Sequence, residues 1–342
     1  MDKKEKITII PDMPSEIIDA IDANRLIIFV GAGLSKLFRY PLWNEFAFRL
    51  VDNCVKEKSI PLSEKKIWTS GSFSSMKLVT IAYDSLRKKV GDGKAFEIFK
   101  KELTKDEYNE DKLSSGDLTK KEKEDLEKTR KKIDDIAKYL SNYHSKIVTT
   151  NADLSIDRTH YFKGKKVIKN FKNLINDDDI KYADLVHIHG TIEDYNSLVF
   201  TSEQYAAAYM IETDFGQNLK KLLKDHVILF IGYGVNEFEL IKYFLTLKDD
   251  AKKKMFILEG FLKNETVEKK FLYDYYKSLH IELLDYSREK EDYDALIGVL
   301  KAWDKDVKTR TMAHKIVPKK IDEVIKKKPT PSLVALVKKE LE

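Results

Sequence analysis

The chain has 342 residues, of which 42% are hydrophobic and 11% aromatic, so it can bury a substantial core and is not a disordered polypeptide. Its formal net charge is only +5, which by itself does not indicate a nucleic-acid-binding protein. The single cysteine excludes an intramolecular disulfide and a zinc cluster built on cysteines, and it fits a reducing cytosol.

The chain begins with a basic stretch, and the apolar residues that follow it are too few for a signal peptide. No apolar run in the sequence approaches the roughly 18 residues that a helix needs to cross a bilayer. We therefore expect a cytoplasmic protein that has no membrane-spanning segment and no membrane partner.

Short apolar, β-branched segments predict a series of strands, separated mostly by amphipathic helical stretches. The predicted strands are residues 26–30, 146–150, 185–189, 227–231, 255–258 and 281–284. Strands that alternate with helices predict an α/β fold with a Rossmann-like, doubly wound parallel sheet. Ligands of such sheets bind beyond the carboxyl ends of the strands, so the residues that follow each strand are candidate site residues.

A helical insert is predicted between residues 56 and 140, where the sequence lacks a clear strand. Helical patterns in this region occur at residues 76–90, 95–103 and 120–140. Residues 1–55 and 141–303 would then form the α/β domain. The centre of the insert, residues 104–132, is intensely charged and contains a Ser-Ser-Gly break at 114–116, which indicates an exposed segment.

A basic C-terminal extension is predicted at residues 304–342. From residue 301 onward the sequence has 12 Lys or Arg and 6 Asp or Glu residues, a local excess of +6. Helices are predicted at residues 316–328 and 332–341, on the two sides of a Pro-Thr-Pro sequence. A basic segment of this kind can contact nucleic acid or an acidic partner, but it is more often a solvated helical face.

The first strand runs directly into Gly31-Ala32-Gly33-Leu34-Ser35, which predicts a tight turn before a helix that starts at about Trp43. Glycines let a backbone approach phosphate groups, and a helix start offers N–H donors to an anion. Ser35 can donate its hydroxyl to a phosphate, and Trp43 can cover an aromatic ring. Taken alone, the segment could also be an ordinary strand–helix turn with a core tryptophan.

An ordinary hydride-transfer dehydrogenase is disfavoured by the same segment. The dinucleotide fingerprint Gly-x-Gly-x-x-Gly needs a third glycine, and Lys36 occupies that position. The glycines therefore indicate a nucleotide site of another kind.

Polar residues also follow the second predicted strand, as Thr149-Thr150-Asn151-Ala152-Asp153. The carboxamide of Asn151 both donates and accepts, so it could hold ribose hydroxyls or orient a water. Asp153 could bind a carboxamide N–H or stabilise a nearby positive charge, and Asp157 is expected at the surface or behind the site. The alternative is a purely structural role, in which Asp153 caps the N-terminus of a helix.

Two histidines alternate with apolar residues in the third predicted strand, so both face the same side of that strand. His189 is nearer the carboxyl end, precedes Gly190, and has an ordinary pKa of roughly 6.5, which suits a general base at neutral pH. His187 lies deeper and is expected to be structural. Metal binding by the pair is disfavoured because no third ligand stands at a suitable spacing.

Gly232-Tyr233-Gly234 follows the fourth predicted strand, with Asn236 and Glu237 at the start of another helix. Glycines here would permit close approach of a sugar or phosphate, although a tight loop is the simpler interpretation. We prefer the ligand interpretation because all four motifs follow strands, and the carboxyl ends of parallel strands share one edge of a sheet.

Together the four motifs resemble the sirtuin family, and more closely its bacterial branch associated with antiphage defence. The residues that match the opening signature Gly-Ala-Gly-x-Ser and the later proline and aromatic residue are Gly31, Ala32, Gly33, Ser35, Pro41 and Trp43. The residues that match Thr-x-Asn-x-Asp and the catalytic His-Gly are Thr149, Asn151, Asp153, His189 and Gly190. The Gly-x-Ser loop of the family appears as Gly232-Tyr233-Gly234, with glycine in place of serine.

Three departures from the sirtuin pattern argue against peptide-lysine deacylation. One cysteine cannot build the four-cysteine zinc module of deacylating sirtuins, so no zinc is expected. Arg39 stands where sirtuins have a glycine, and Asn44 replaces an arginine. The residues that the family uses for NAD are largely retained.

The resemblance implies an enzyme that uses NAD as its substrate and hydrolyses it to nicotinamide and ADP-ribose, as the toxic effector of a bacterial antiphage defence system. Asn151 would orient ribose and water, Asp153 would contact the nicotinamide side, and His189 would act as the base. The residues implied in binding NAD are Gly31, Ala32, Gly33, Ser35, Pro41, Trp43, Thr149, Gly190, Gly232 and Gly234. The alternatives are a non-catalytic NAD- or ADP-ribose-binding scaffold subunit of a larger complex, and an NAD-dependent ADP-ribosyltransferase or deacylase.

The resemblance also implies partners. Relatives of this compact type occur beside HerA-type hexameric ATPases, so we expect such an ATPase as a partner and a homo-oligomeric state. The helical insert or the basic extension would make these contacts. Nucleic acid would be contacted, if at all, through the partner or through the basic C-terminal segment.

Overall fold

The computed structural model describes residues 7–106, 108, 118–143, 145–174, 177–209, 213–235, 238–245 and 254–326. Four predicted features lie outside the described residues. They are the Ser-Ser-Gly break at 114–116, Asn236 and Glu237, the Pro-Thr-Pro sequence at 329–331, and the last helix predicted at 332–341.

In the described part of the chain, seven parallel strands form one sheet in the order β3-β4-β2-β1-β5-β6-β7. The strands are β1 (Leu26–Val30), β2 (Lys146–Thr149), β3 (Val167–Ile168), β4 (Leu185–His187), β5 (Val227–Ile231), β6 (Met255–Phe261) and β7 (Ile281–Ser287). With helices on both faces, this sheet confirms the predicted Rossmann-like α/β class.

The helices connect the strands and cover both faces of the sheet. They are α1 (Ser15–Asp22), α2 (Ala32–Leu37), α3 (Trp43–Lys56), α4 (Leu62–Trp68), α5 (Ser75–Val90), α6 (Asp92–Thr104), α7 (Lys120–Asn142), α8 (Asp177–Tyr182), α9 (Ser202–Ala208), α10 (Asp214–Leu223), α11 (Phe238–Leu245), α12 (Thr266–Ser278) and α13 (Ala295–Lys326). Within the described ranges, no helix is both long enough and apolar enough to span a bilayer.

The strand bounds differ from the predicted ones where apolar character is a poor guide. Strands β1 and β5 have the predicted limits, whereas β6 and β7 each continue three residues further than predicted. Strand β3 was not predicted, because it has two residues and lies between lysines. It forms only because β4 offers its edge for pairing.

The turn predicted directly after β1 is wrong in detail. Helix α2 begins at Ala32, with Gly31 in extended backbone conformation as its N-terminal cap, so β1 passes into a helix without an intervening turn. The next helix, α3, begins at Trp43 as predicted.

The two faces of the sheet bury different side chains of the same strand. In β1, Leu26, Ile28 and Val30 pack on one face, while Ile27 and Phe29 pack on the other. The alternation follows from the two-residue repeat of a strand, and all five side chains are buried.

The predicted helical insert contains two kinds of helix. Helices α5 and α6 share a separate apolar core, around Phe46, Tyr83 and Phe99, with α3, which precedes the insert. Helix α7, in contrast, packs against the sheet and α13 through residues such as Ile136 and Leu140. Helix α13 runs without a break across the boundary predicted at residue 304. The division into domains stays a prediction.

A crevice at the carboxyl edge of the sheet follows from the strand order. Strand β1 lies at the centre and pairs with β2 on one side and β5 on the other. The chain fills one half of the sheet with β2 to β4 and the other half with β5 to β7. The segments that leave β1 and β5 therefore diverge, which is the topology that forms a ligand crevice in open α/β sheets.

Candidate active site

A large cleft lies at this crevice. This outer cleft has a volume of about 660 Å³ and is bounded by residues that follow β1 and β5, including Gly33, Gly232 and Gly234, and by Glu259 of β6. Helix α3 contributes Trp43 and Asn44, and helix α5 of the insert contributes Ser75 and Met76. The volume lies within the range of about 300–1,000 Å³ that is usual for small-molecule sites.

A second, smaller space of about 60 Å³ adjoins the outer cleft. This inner cavity and the outer cleft share Ala32, Trp43 and Thr150 as lining residues. The polar groups of the inner cavity come from the predicted motifs, and Phe99 and Leu103 of α6 form part of its apolar wall. The insert therefore forms part of the wall of the site.

The inner cavity brings together five of the predicted site residues that are distant in sequence. They are Ser35, Pro41, Asn151, Asp153 and His189. The outer cleft holds a second group of predicted residues, namely Gly33, Gly232 and Gly234, and Ala32 and Trp43 line both spaces.

Asn151, Ser35 and Asp153 form one chain of hydrogen bonds. The side-chain amide nitrogen of Asn151 donates to the carbonyl oxygen of Gly31 (2.9 Å) and to the hydroxyl oxygen of Ser35 (2.8 Å). The Ser35 hydroxyl in turn donates to Oδ2 of Asp153 (2.5 Å). The Ser35 hydrogen is thus directed at a carboxylate, and the side-chain oxygen of Asn151 is left as the acceptor for an incoming hydroxyl or water.

Burial perturbs the Asp153 carboxyl. The side chain is 8% exposed, and burial raises its pKa, while the Ser35 hydrogen bond and the backbone N–H of Ser155 oppose that rise. The alternative role for Asp153, a helix cap, is not observed, because the residues that follow it form turns.

His189 lines the inner cavity but is almost fully buried, with 3% of the residue exposed. Its Nε2 lies 2.6 Å from the hydroxyl of Tyr209, and its Nδ1 lies 3.3 Å from the hydroxyl of Tyr205 on α9. Burial lowers the pKa of His189 to about 3, well below the value of roughly 6.5 expected from the sequence. The imidazole is therefore neutral at pH 7, and it is a much weaker base than the sequence alone predicts.

Thr149 and Gly190 support the site from behind and line neither the outer cleft nor the inner cavity. The hydroxyl of Thr149 donates to the carbonyl of Val30 and accepts from the backbone N–H of Asn151, both at 3.0 Å, which joins the ends of β1 and β2. Gly190 has a φ of +74°, and a Cβ there would lie 2.3 Å from the backbone of Ser197.

The glycines that follow β1 and β5 allow two backbones to meet. The N–H of Gly33 donates to the carbonyl oxygen of Gly232 (2.8 Å), so that amide is not directed at a ligand. A Cβ on Gly31 would lie 2.6 Å from the Gly232 oxygen, and one on Gly33 would lie 2.9 Å from the same atom. These contacts hold the two loops together at the floor of the outer cleft.

Sequence reasoning missed Glu259 and Arg288, which line the outer cleft beside β6 and β7. Burial raises the pKa of Glu259 to about 7, although the Tyr276 hydroxyl and the charge of Arg288 oppose that rise. Arg288 is held by Glu265 (2.9 and 3.0 Å) and Asp292 (2.9 Å). A signal was available, since an acidic residue and a glycine follow the apolar part of β6, as polar residues and glycines follow the other strands.

Two further observations bear on the predicted departures. Arg39 has a φ of +73°, a left-handed conformation that favours glycine, so this arginine occupies a position that suits the glycine of the sirtuin pattern. Among the described residues, no group of three or more His, Cys, Asp or Glu side chains is placed to hold a metal ion.

Comparisons with known proteins agree with the motifs. Residues 145–284 match the SIR2-like domain family. The chain is 25% identical over 297 residues to Defense-associated sirtuin 2 of Bacillus subtilis, an alignment that covers 82% of this chain and 25% of that protein. The chain thus spans about a quarter of the length of that relative. The matched domain includes Asn151, Asp153 and His189, while the glycine segment after β1 precedes it.

Proposed function

We propose that this protein is an NAD⁺ glycohydrolase that cleaves NAD⁺ to nicotinamide and ADP-ribose. The observation that carries the proposal is the inner cavity, where Asn151, Asp153 and His189 meet beside a cleft of nucleotide size. SIR2-like domains use NAD, and the match to that family covers these three residues.

Cleavage of the bond between nicotinamide and ribose needs no general acid. The nicotinamide of NAD⁺ is already cationic and leaves as a neutral molecule, so no group must protonate it. The transition state places positive charge on the ribose, as in glycoside hydrolysis, and water then attacks the sugar carbon. The site must therefore hold the ring, stabilise the sugar cation and orient the water.

The residues of the inner cavity match these three tasks. The side-chain oxygen of Asn151, for which the described residues supply no donor, would accept a hydrogen bond from a ribose hydroxyl or from the attacking water. Asp153, which also accepts from Ser35, provides negative charge near the nicotinamide side and the developing cation. His189 would act as the base, but its lowered pKa of about 3 makes the neutral imidazole a weak one, so its contribution should lie near the low end of the usual range of about 10²–10⁴-fold in rate.

The outer cleft would hold the rest of the dinucleotide. Trp43 lines both the outer cleft and the inner cavity, so a ligand that fills both spaces would contact this ring. The glycines at the cleft floor leave no side chains in the path of the pyrophosphate, and Glu259 lies where a sugar hydroxyl could be accepted.

The cellular role and partners belong to the same proposal. By similarity to Defense-associated sirtuin 2, we place the enzyme in bacterial antiphage defence, as an effector that removes NAD⁺ from infected cells. We propose that it works in the cytoplasm as a homo-oligomer together with a HerA-type hexameric ATPase. Nucleic acid, if bound, would be contacted through that ATPase or through the basic C-terminal segment. Exposed apolar side chains on the insert support a contact surface there, namely Leu62, Ile67, Phe73 and Ile81, and Phe48 on the preceding helix α3 is exposed too.

The test is chromatography of the purified full chain after incubation with NAD⁺. We expect nicotinamide and ADP-ribose from the unmodified chain, and a loss of at least about 100-fold in Asn151→Ala and His189→Ala. Asn173→Ala and His160→Ala are matched controls, because both side chains are exposed and lie outside the cavities. Circular dichroism checks that each variant is folded.

Other outcomes would contradict the proposal. Turnover that is unchanged in His189→Ala and Asn151→Ala would exclude the inner cavity as the site of chemistry. Tight NAD⁺ binding without turnover, both alone and with the ATPase, would instead favour a scaffold. Transfer of ADP-ribose to a protein acceptor would favour a transferase. Light scattering and co-purification test the homo-oligomer and the ATPase, and a lone monomer that retains no partner would refute them.

A further inference from the structure

A second histidine, His187 of β4, lies behind the candidate active site and contacts its backbone. The His187 side chain is 2% exposed and that of Asp157 is 8% exposed. Nδ1 of His187 lies 3.0 Å from the carbonyl oxygen of Asn151, and Nε2 lies 3.1 and 3.2 Å from the two carboxylate oxygens of Asp157. The ring thus connects Asn151 to a buried carboxylate.

Both partners of the His187 ring are hydrogen-bond acceptors. A carbonyl oxygen cannot donate, and an ionised carboxylate cannot donate either. A neutral imidazole carries one N–H and would direct a lone pair at one of these oxygens, whereas the doubly protonated ring donates to both. Burial alone would lower the pKa of His187, but the hydrogen bond and the charge of Asp157 outweigh burial and raise it.

The surroundings of the ring contain two carboxylates and no second cation among the described lining residues. The narrow space beside His187 is lined by Asp153, Asp157, Asn151, Ser35 and Thr149 as its polar members. The other lining residues are Val30, Leu34, Phe38, Ile156 and Leu185, which are apolar. A positive charge on His187 therefore stabilises the negative charges of both Asp157 and Asp153.

This charge acts on two groups of the proposed catalytic site. Burial raises the pKa of Asp153, and the charge of His187 is one of the influences that lower it again. The backbone carbonyl of Asn151 contacts His187, while its side-chain amide donates to the Gly31 carbonyl and the Ser35 hydroxyl. Asn151 is thus held both at its backbone carbonyl and at its side-chain amide.

We propose that His187 is a positioning residue that remains doubly protonated between Asn151 and Asp157. In this form it fixes the Asn151–Asp153 segment and favours the ionised carboxylate of Asp153. The inference rests on the proposed NAD⁺ cleavage for its kinetic consequence, but the protonation of the ring does not. Because the imidazolium is present below the pKa of His187 and is lost above it, turnover should fall on the alkaline side as His187 loses its proton.

The direct test is nitrogen-15 NMR of the full chain with labelled histidine, with His187 assigned by comparison with His187→Gln. We expect both ring nitrogens of His187 to be protonated at pH 7. An unprotonated Nε2 at that pH would overturn the proposal, whether the proton is then on Asp157 or absent. This measurement needs no enzymatic activity, so it stands even if the chain does not cleave NAD⁺.

The kinetic test compares His187→Gln, Asp157→Asn and the double variant, with His160→Gln as the exposed control. Glutamine can still donate to the Asn151 carbonyl but cannot carry the charge. We expect kcat to fall about 10- to 100-fold in His187→Gln, with KM changed less than about three-fold, because misplaced groups slow the chemical step. The alkaline limb of the pH profile that belongs to His187 should disappear.

The double variant separates positioning from folding. His187→Gln alone strands a buried carboxylate, which destabilises the fold, and Asp157→Asn removes that carboxylate. We therefore expect the double variant to recover stability toward unfolding but not kcat. Recovery of kcat together with stability, or a pH profile that keeps the same alkaline limb, would show that His187 is only structural.

Discussion

Substitution of Gly232 by alanine tests whether the floor of the site depends on contact between two backbones. Gly232 has a φ of +61°, and a Cβ there would lie 2.4 Å from the backbone nitrogen of Leu34 and 2.9 Å from the carbonyl carbon of Gly33. These neighbours are backbone atoms, so no side chain can rotate away. The loop after β5 must therefore move away from α2.

Two effects set the magnitude. A non-glycine residue in the left-handed region costs about 1–2 kcal/mol, and forcing extra atoms into a packed site costs about 1–3 kcal/mol. Gly232→Ala should therefore lower the free energy of unfolding by about 2–5 kcal/mol. Gly164→Ala is the matched control, because Gly164 has a φ of +82° and a Cβ added there would have no atom within 4 Å. The control should lose only the conformational part, about 1–2 kcal/mol.

Denaturant unfolding followed by circular dichroism measures both variants under the same conditions. The slope with denaturant should be unchanged, so that the shift in midpoint reports stability. Calorimetry should also show weaker NAD⁺ binding by Gly232→Ala than by Gly164→Ala. If the two variants lose the same stability, the close contact at Gly232 contributes nothing and the reasoning is refuted.

Three other predictions follow from particular side chains. Arg39→Gly should raise the free energy of unfolding by about 0.5–1 kcal/mol, because glycine adopts a φ of +73° without strain; an unchanged or lower value contradicts this. Cys54 is buried and burial raises its thiol pKa, so a thiol reagent should label it slowly until urea is added. Because burial raises the pKa of Glu259 to about 7, its ionisation destabilises the fold as pH rises from about 4.5 through 7. Glu259→Gln should thus be more stable than the unmodified chain by about 1–3 kcal/mol at pH 8 but not at pH 4.5, and equal differences would refute it.

Sequence motifs predicted where the site residues lie but not their protonation states. Asn151 and Asp153 were predicted from their places after an apolar strand and His189 from its place at the carboxyl end of another, and the structure brings them to one cavity because parallel strands share a carboxyl edge. Turnover of NAD⁺ by the alanine variants decides whether they carry out the proposed chemistry. Their states could not be predicted, since the pKa of His189 depends on burial beneath Tyr205 and Tyr209, which lie on and beside a different helix.

The apolar periodicity of the sequence by itself determined the α/β class, the order of the main strands along the chain and the place of the motifs, because these depend on local patterns of burial. Tertiary structure decided what depends on distant partners. Strand β3 exists only through pairing with β4, and the glycines at 31 and 33 are needed because Gly232 approaches them from β5. Likewise His187 is held by Asp157 and by the Asn151 carbonyl, groups that lie 30 and 36 residues away and meet it only after the strands have paired.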